Sequence, residues 1–208
     1  RADKVIEHYG KLINGNIKTR DKVKLTVNKN NRNKITAHHS ATHLLHSALR
    51  RNLGNHVTQK GSLVSESKLR FDISHNSAIS EELIIKIEKD INEQIFSNSS
   101  VTSSILNKSE AIKKGAMAIF GEKYGDEVRV IEMGTSNNNK AFSVELCGGT
   151  HVKRTGDIGL IKIISETSLA SGVRRLEAVA GVLAIEEYRS IEHTLNNISK
   201  SLKTNQKL

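Results

Sequence analysis

The sequence predicts an α+β fold, in which α-helices and short β-strands follow one another along the chain, and three observations carry this prediction. Apolar residues recur at helical spacing over residues 37–53 and again over residues 182–202. Short segments elsewhere alternate apolar with polar side chains, as Phe142, Val144 and Leu146 do, which is typical of half-buried strands. With 208 residues, the chain is long enough for one or two domains with a real core.

The first segment is expected to be the end of a β-rich unit. Val23, Leu25 and Val27 alternate with polar residues, which predicts a half-buried strand, and the polar segment 28–33 predicts a loop. The predicted division of the chain is a β-rich N-terminal unit, a main domain and a C-terminal helix, at residues 1–36, 37–181 and 182–208.

Start and stop signals in the sequence define three helices within the main domain. The first ends at Gly54, because glycine commonly follows the last helical residue. Ser80 caps the second, with two glutamates in its first turn, and Ser109 opens a short third helix. These helices are expected at residues 37–53, 80–96 and 109–117.

Strands are predicted between and after these helices. The segments are short, rich in Val, Ile, Leu and Phe, and partly alternating, with a polar loop at residues 137–139. They are expected at residues 63–64, 69–73, 101–106, 128–131, 142–146, 160–164 and 173–179.

The chain is basic, with 32 Lys and Arg against 22 Asp and Glu and a formal net charge of +10. Such a charge favours a polyanionic partner, because basic side chains release the counterions of nucleic-acid phosphates. A proteome rich in Lys and Asn would give the same bias without any such partner. Both interpretations stay open on composition alone.

Nothing in the sequence indicates a membrane protein. No apolar run approaches the roughly 20 residues of a membrane span, and no signal-peptide pattern opens the chain. The single cysteine, Cys147, excludes a disulfide within one copy and fits a reducing compartment, so we expect a cytoplasmic protein. Because the chain starts at Arg1 without a methionine, we also expect it to be a piece of a longer protein.

Two short pairs of metal ligands carry the chemistry of the sequence. His39 and His43 stand in HSATH, and Cys147 and His151 stand in CGGTH. Zinc takes nitrogen and sulfur ligands in tetrahedral geometry, and the first spacing puts both imidazoles on one helix face, one turn apart. The second pair follows the strand predicted at residues 142–146, where glycines let the backbone turn tightly. The sequence therefore predicts a zinc site that joins a helix to the end of a strand.

Spacing alone does not make this ligand set unique. His46 falls on the same helix face as His39 and His43, and His38 is a further neighbour. A lone histidine is more often structural than a ligand, but two spaced pairs that share the only cysteine favour a metal. Four protein ligands are typical of a closed structural site, whereas a catalytic zinc keeps one position for water, and the spacing favours neither.

Five longer motifs, taken in order and spacing, resemble the editing domain of alanyl-tRNA synthetase, which freestanding AlaX-type trans-editing proteins share. They are HSATHLLHSALR, HVTQKGSLV, LRFDISH, CGGTHV and SGVRRLEAVAG, and they cover roughly residues 37–181. The resemblance implies an α+β core with a mixed, largely antiparallel sheet packed with helices, related to the second additional domain of threonyl-tRNA synthetase. It further implies that residues 1–36 are the C-terminal part of a small β-barrel. The last helix would lead to an oligomerisation region that is absent here.

The resemblance also implies an activity and its residues. The reaction is hydrolysis of the ester that links serine or glycine to tRNA for alanine, and the zinc ligands are His39, His43, Cys147 and His151. The serine-versus-alanine gate falls on Thr42, and Gln59 is an active-site amide that holds the ester or the attacking water. Our mechanistic interpretation is that a water polarised near the metal attacks the ester carbonyl. Without the family, Thr42 would be interpreted as an ordinary helix residue and Gln59 as a surface amide.

Four basic residues are predicted to contact the tRNA. Guanidinium groups suit bidentate contact with phosphates, although an ion pair with Asp72 or Glu177 explains the arginines equally well. The predicted contacts are Lys60, Arg70, Arg174 and Arg175.

The expected partners are the acceptor end of tRNA for alanine and the remainder of the synthetase, since the sequence has no ATP-binding motif. Two alternatives to a synthetase editing domain stay open. One is a freestanding trans-editing protein, and the other is a zinc-stabilised RNA-binding module without activity. Oligomeric state is not readable from the sequence.

Overall fold

The computed structural model describes residues 7–117, 125–136, 138 and 140–202. Within these residues the helices are α1 (Lys29–Leu53), α2 (Glu81–Phe96), α3 (Lys108–Lys113) and α4 (Val182–Ser201), with a 3₁₀ turn at Thr155–Ile158. The strands are β1 (Gln59–Val64), β2 (Leu69–Ser74), β3 (Thr102–Asn107), β4 (Glu127–Met133), β5 (Ser143–Leu146), β6 (Ile161–Ala170) and β7 (Val173–Ala180).

The strands form two sheets in which every neighbouring pair is antiparallel. One has the order β1-β2-β7-β6 and the other the order β3-β4-β5. A parallel bridge joins Met117 to Glu145 beside β5. The predicted α+β fold, with largely antiparallel strands and helices packed on them, is therefore confirmed.

Helix α1 is the centre of the fold. It packs against α2, against β1, β2 and β7 of the larger sheet, and against β5 of the smaller one. Its middle is buried on all sides, since Leu44 and Leu45 are as fully buried as the small residues Ala41 and Ala48. Burial of an entire turn allows this helix to hold polar side chains in fixed positions away from bulk water.

The structure corrects the predicted start of this helix. The sequence predicts a polar loop at residues 28–33, but α1 begins at Lys29. Asn28 caps it, because the Asn28 side chain accepts a hydrogen bond of 3.1 Å from the backbone N–H of Asn31. The first turns are exposed to solvent, so their polar side chains are compatible with a helix.

The strand predicted at Val23, Leu25 and Val27 is wrong. Residues 7–28 contain neither helix nor strand, and these three side chains are 61%, 72% and 54% exposed. A strand needs a neighbour for its backbone hydrogen bonds, and none of the described residues pairs with this segment. The barrel expected for residues 1–36 stays a prediction, since residues 1–6 also lie outside the described part.

The other predicted elements are confirmed, with changes of boundary, the largest being that β1 begins at Gln59 and β6 extends to Ala170. The Ser80 hydroxyl caps α2 by accepting a bond of 3.3 Å from the N–H of Leu83. Helix α3 ends at Lys113 rather than near Met117, because the chain turns at Gly115 with a φ of +85°. The expected loop at 137–139 falls partly on residues 137 and 139, which lie outside the described residues.

The C-terminal helix α4 follows the prediction closely. It projects from the larger sheet, and most of its apolar side chains, such as Ile191, Leu195 and Ile198, are exposed. Among the described helices, none is long and apolar enough to cross a membrane.

We expect Leu45→Ala to destabilise the fold by about 2–5 kcal/mol, because it removes a fully buried side chain of α1 and leaves a cavity. Leu25→Ala is the matched control, since Leu25 is exposed and its truncation is expected to change stability by about 0.5 kcal/mol or less. Urea unfolding of both variants measures the difference. Equal stabilities for the two would contradict the central position of α1.

Candidate metal centre

Four side chains from distant parts of the chain meet at one end of the buried turn of α1. One donor atom from each lies within 4.8 Å of the others. His39 and His43 come from α1, and Cys147 and His151 come from the loop that follows β5. The structure thus brings together all four residues that the two sequence motifs single out, and the four could hold a metal ion.

The loop after β5 can approach α1 closely because position 149 is a glycine. A Cβ on Gly149 would lie 2.8 Å from Nδ1 of His39 and closer still to Cε1, so the imidazole would have to move. The backbone N–H of Gly149 also donates to the Cys147 Sγ over 3.4 Å. The glycines of the second motif therefore provide close packing as well as a turn.

Two of the distances between donor atoms match those of a tetrahedral site, and all four donors lie within 4.8 Å of one another. The Sγ of Cys147 lies 3.5 Å from Nε2 of His39 and 3.3 Å from Nε2 of His151. Ligands bound at about 2.0–2.3 Å around one tetrahedral ion are separated by about 3.3–3.8 Å. The donors could therefore accept an ion without a large rearrangement.

The ring nitrogens that face away from the centre of the cluster are held by other groups. Nδ1 of His39 lies 3.2 Å from the carbonyl oxygen of Thr150, and Nδ1 of His151 lies 3.2 Å from Oγ of Ser40. Ser40 also accepts a bond of 3.1 Å from the N–H of Val152. Such partners orient an imidazole so that its Nε2 points to the metal.

The strongest of these supports is Glu145, which sequence reasoning did not identify. Its carboxylate is 4% exposed and bridges two histidines of α1. Oε2 lies 3.0 Å from Nδ1 of His43, without the alignment of an ideal hydrogen bond, and Oε1 lies 3.0 Å from Nδ1 of His46. The sequence carries no signal for this role, because a polar residue between Val144 and Leu146 on a strand is expected to face solvent.

Electrostatics favour the charged forms of His43, Glu145 and Cys147, whereas burial lowers the pKa of His151. Burial lowers the pKa of His43, but the charge of Glu145 and contacts with Cys147 raise it to about 10. Burial likewise raises the pKa of the Glu145 carboxyl, yet the neighbouring His43 and His46 hold it well below its usual range. For Cys147, burial is outweighed by hydrogen bonds from His151, His39 and His43, which lower the thiol pKa to about 3. The lowered thiol pKa favours the thiolate, which is the metal-binding form of cysteine.

The two other histidines near the first ligand pair, His38 and His46, are not part of the cluster. His38 points away, and its Nδ1 lies 2.7 Å from the carbonyl oxygen of Ser65, while burial lowers its pKa. His46 packs its ring 5.2 Å from that of Phe71 and pairs with Glu145 instead. The structure thereby separates the two ligand pairs from neighbouring histidines that spacing alone could not exclude.

A cavity of about 570 Å³ opens beside the cluster. His39, His43 and Cys147 line it together with Thr42 and Gln59. The Thr42 hydroxyl donates a hydrogen bond of 2.8 Å to the carbonyl oxygen of His38, so its proton is committed and its lone pairs are not. Gln59 stands at a bulge of β1, and its amide forms no hydrogen bond with another described residue. Both expected active-site residues therefore lie beside the metal donors.

The arginines predicted to contact tRNA are engaged with carboxylates. Arg175 forms two hydrogen bonds with Asp72, of 2.7 Å and 2.8 Å, and Nε of Arg70 lies 3.8 Å from the same carboxylate. Arg174 pairs with Glu166 rather than with either acid considered from the sequence. Within the chain these arginines therefore form ion pairs, as the alternative interpretation of the sequence expects.

The remaining predicted contact, Lys60, is exposed on β1 next to Gln59. It falls within the bulge, where the register between β1 and β2 shifts between Gln59 and Gly61. A Cβ at Gly61 would lie 3.0 Å from Oδ2 of Asp72, so the strand can pass over the Asp72 carboxylate only with a small residue there. Lys60 thus lies on the protein surface, and its neighbour Gln59 lines the cavity.

Comparisons with known proteins relate the chain to aminoacyl-tRNA synthetases. Residues 128–177 match the family model described as threonyl and alanyl tRNA synthetase second additional domain. The chain is 49% identical over 207 residues to an alanine–tRNA ligase of Mesorhizobium japonicum, covering 98% of the chain and 23% of the relative. It is 55% identical over 196 residues to an alanine–tRNA ligase of Saccharophagus degradans, covering 94% and 22%. The chain therefore spans less than a quarter of the length of these curated relatives.

We expect Glu145→Gln to weaken metal binding about 10- to 100-fold, because the amide cannot replace the carboxylate that orients His43. Glu127→Gln, on the exposed surface of β4, is the matched control and should bind normally. Competition of each purified variant against a chromophoric chelator for Zn²⁺ gives the affinities. Equal affinities in the two variants would show that Glu145 does not support the donors.

Proposed function

The chain belongs to the family of the second additional domain of threonyl- and alanyl-tRNA synthetases, and we propose that it hydrolyses the ester of tRNA for alanine mischarged with serine or glycine. In this proposal it is the editing domain of an alanyl-tRNA synthetase and proofreads translation in the cytosol. One observation carries the proposal: three metal donors, Thr42 and Gln59 line the same cavity. Its volume of about 570 Å³ is large enough for an aminoacyl group and part of a terminal ribose.

We propose zinc as the metal of this site. The donors are three imidazoles and one thiolate, the ligand types of tetrahedral zinc sites, held by His39, His43, Cys147 and His151. When bound there, zinc would supply a Lewis acid that stabilises negative charge at the ester. The side chains of the cavity wall are proposed to select the substrate and to orient the reacting groups.

A separate hydrolytic site is needed because alanine is small. An activating pocket cannot exclude glycine, and an apolar pocket rejects an added hydroxyl only weakly. Thr42 is the proposed gate. Its hydroxyl oxygen can accept a hydrogen bond from a serine side chain while its own proton is donated to the carbonyl oxygen of His38. Alanine has no hydroxyl to make this contact, and its methyl group meets the Thr42 methyl that bounds the pocket, whereas glycine has no side chain there; the alanine ester is therefore bound less well and spared.

Gln59 is proposed to orient the reacting groups. Its amide carries both donors and an acceptor and is not engaged with other described side chains. In the reaction, the oxygen of a water bonds to the ester carbonyl carbon and the bond to the ribose oxygen breaks. The ribose oxygen takes a proton, so that the free amino acid and the uncharged tRNA end are released. Placing the water and the ester in one orientation is the contribution expected of Gln59.

A second candidate function is RNA binding without catalysis. Four protein donors can fill a tetrahedral ion completely, which is typical of a structural zinc. In that case the ion would only join α1 to the loop after β5. The cavity would then hold the tRNA end without cleaving it.

We expect the chain to release serine from seryl-tRNA for alanine, and Cys147→Ala to lower the rate by about 100-fold or more, since misplacing groups by about 1 Å costs that much. His193→Ala, on exposed α4, is the control and should keep the wild-type rate. Release of radiolabelled serine from the charged tRNA is the measurement.

The outcomes separate the two candidate functions. No release above the uncatalysed rate by the intact chain, with tRNA binding retained, would leave only the RNA-binding module. Release that Cys147→Ala leaves unchanged would keep the hydrolase and remove the metal centre from its mechanism.

Contact between Lys60 and a tRNA phosphate predicts a change in salt dependence. We expect Lys60→Ala to lower the slope of log affinity against log salt by about one unit, the amount that a single phosphate contact contributes. Lys89→Ala, exposed on α2, is the control and should leave the slope unchanged. Binding of an acceptor-stem minihelix carrying a non-hydrolysable seryl amide, measured over a range of about 50 to 200 mM salt, gives the slopes. Equal slopes for both variants would remove Lys60 from the interface.

A further inference from the structure

His46 is a buried histidine that the metal centre does not use. It lies one turn from Thr42 on α1, is 7% exposed, and lines the same cavity as the metal donors. Its Nδ1 lies 3.0 Å from Oε1 of Glu145, while its Nε2 is buried without a hydrogen-bond partner in the described structure. An unpaired buried polar atom is unfavourable, so a ligand that pairs with it is bound more tightly.

The bond to Glu145 decides what Nε2 can do. A carboxylate only accepts hydrogen bonds, so the proton of a neutral imidazole stays on Nδ1 of His46. Its Nε2 then carries a lone pair and acts as an acceptor. The same carboxylate orients His43, whose Nε2 belongs to the metal centre. The Glu145 carboxylate thus orients two histidines, one in the metal centre and one in the cavity wall.

Thr42 offers a second acceptor on the same wall. Its hydroxyl proton is donated to the carbonyl of His38, so toward the cavity the oxygen can only accept. His46 and Thr42 are four residues apart on α1 and lie on the same helix face. A wall that presents acceptors suits a ligand group with several donors, and the α-ammonium of an aminoacyl ester has three N–H donors and occurs in every such ester.

We propose that His46, through Nε2, binds the α-ammonium group of the aminoacyl ester; this inference rests on the proposed function. The contact is made in the ground state and in the transition state alike. It therefore strengthens binding for serine and glycine equally, whereas the Thr42 hydroxyl contacts the side chain of serine alone. His46 is in this sense a residue for amino-acid recognition, and Thr42 one for selectivity.

The test compares two stable adenosine amides that differ only by the amino group. The zinc-loaded wild-type chain is titrated with 3′-glycylamino-3′-deoxyadenosine and with its 3′-acetylamino counterpart, which lacks the ammonium. We expect the glycyl compound to bind about 10- to 100-fold more tightly, as for a hydrogen bond to a charged group. His46→Asn keeps a donor amide for Glu145 and removes the Nε2 acceptor, so the ratio should fall to about one. His46→Gln reaches the position of Nε2 and should restore part of the ratio.

Each outcome bears on the inference. A ratio that both His46 variants leave at the wild-type value would overturn it. So would an effect of the variants that is confined to the difference between seryl and alanyl amides, because that result would assign Nε2 to the serine hydroxyl. If neither amide binds the wild type, the inference fails as well.

Failure of the proposed function is distinct from failure of this inference. It would appear as amides that bind with the expected ratio while seryl-tRNA for alanine is not hydrolysed. Unchanged zinc content in His46→Asn shows that the metal centre is intact, so that a change in the ratio can be assigned to Nε2.

Discussion

The buried carboxylate of Glu145 is the interaction on which the site depends. It connects β5 to α1 by contacts of 3.0 Å to His43 and to His46. A lone carboxylate in such a place would be costly, and the charge of His43 and the hydrogen bond with His46 offset that cost. The contact also fixes the distance between the helix and the strand. The loop that carries Cys147 follows directly after β5, so this pairing holds the start of the loop beside α1.

Residues along one face of α1 have different functions as a result of this constraint. His39 and His43 face the metal centre, Thr42 and His46 line the cavity, and the apolar residues of the opposite side hold the helix in the core. Because the helix is buried all round, these side chains cannot change position independently. In the proposed reaction this rigidity is the contribution of the fold. The ester would bind against hydrogen-bond donors and acceptors that are already aligned.

Much of this arrangement can be predicted from the sequence, because it follows from spacing. The helical spacing of His39 and His43 and the glycines around Cys147 indicate both halves of the metal site. Glu145 escapes such a prediction because a polar residue between two apolar ones on a strand ordinarily faces solvent, and only the packing of β5 against α1 reverses that. The strand expected at residues 23–27 fails for a related reason, since alternation requires a neighbouring strand that the described residues do not provide. Partners that lie far away in sequence decide both cases.

The coordination of a bound metal tests the central claim most directly. X-ray absorption spectroscopy on the zinc-loaded protein reports the number and type of atoms around the ion. A site built by α1 and the loop after β5 predicts one sulfur at about 2.3 Å and three nitrogens at about 2.0–2.1 Å. A spectrum without sulfur, or with only oxygen and nitrogen neighbours, would contradict a metal centre held by Cys147 and the three histidines.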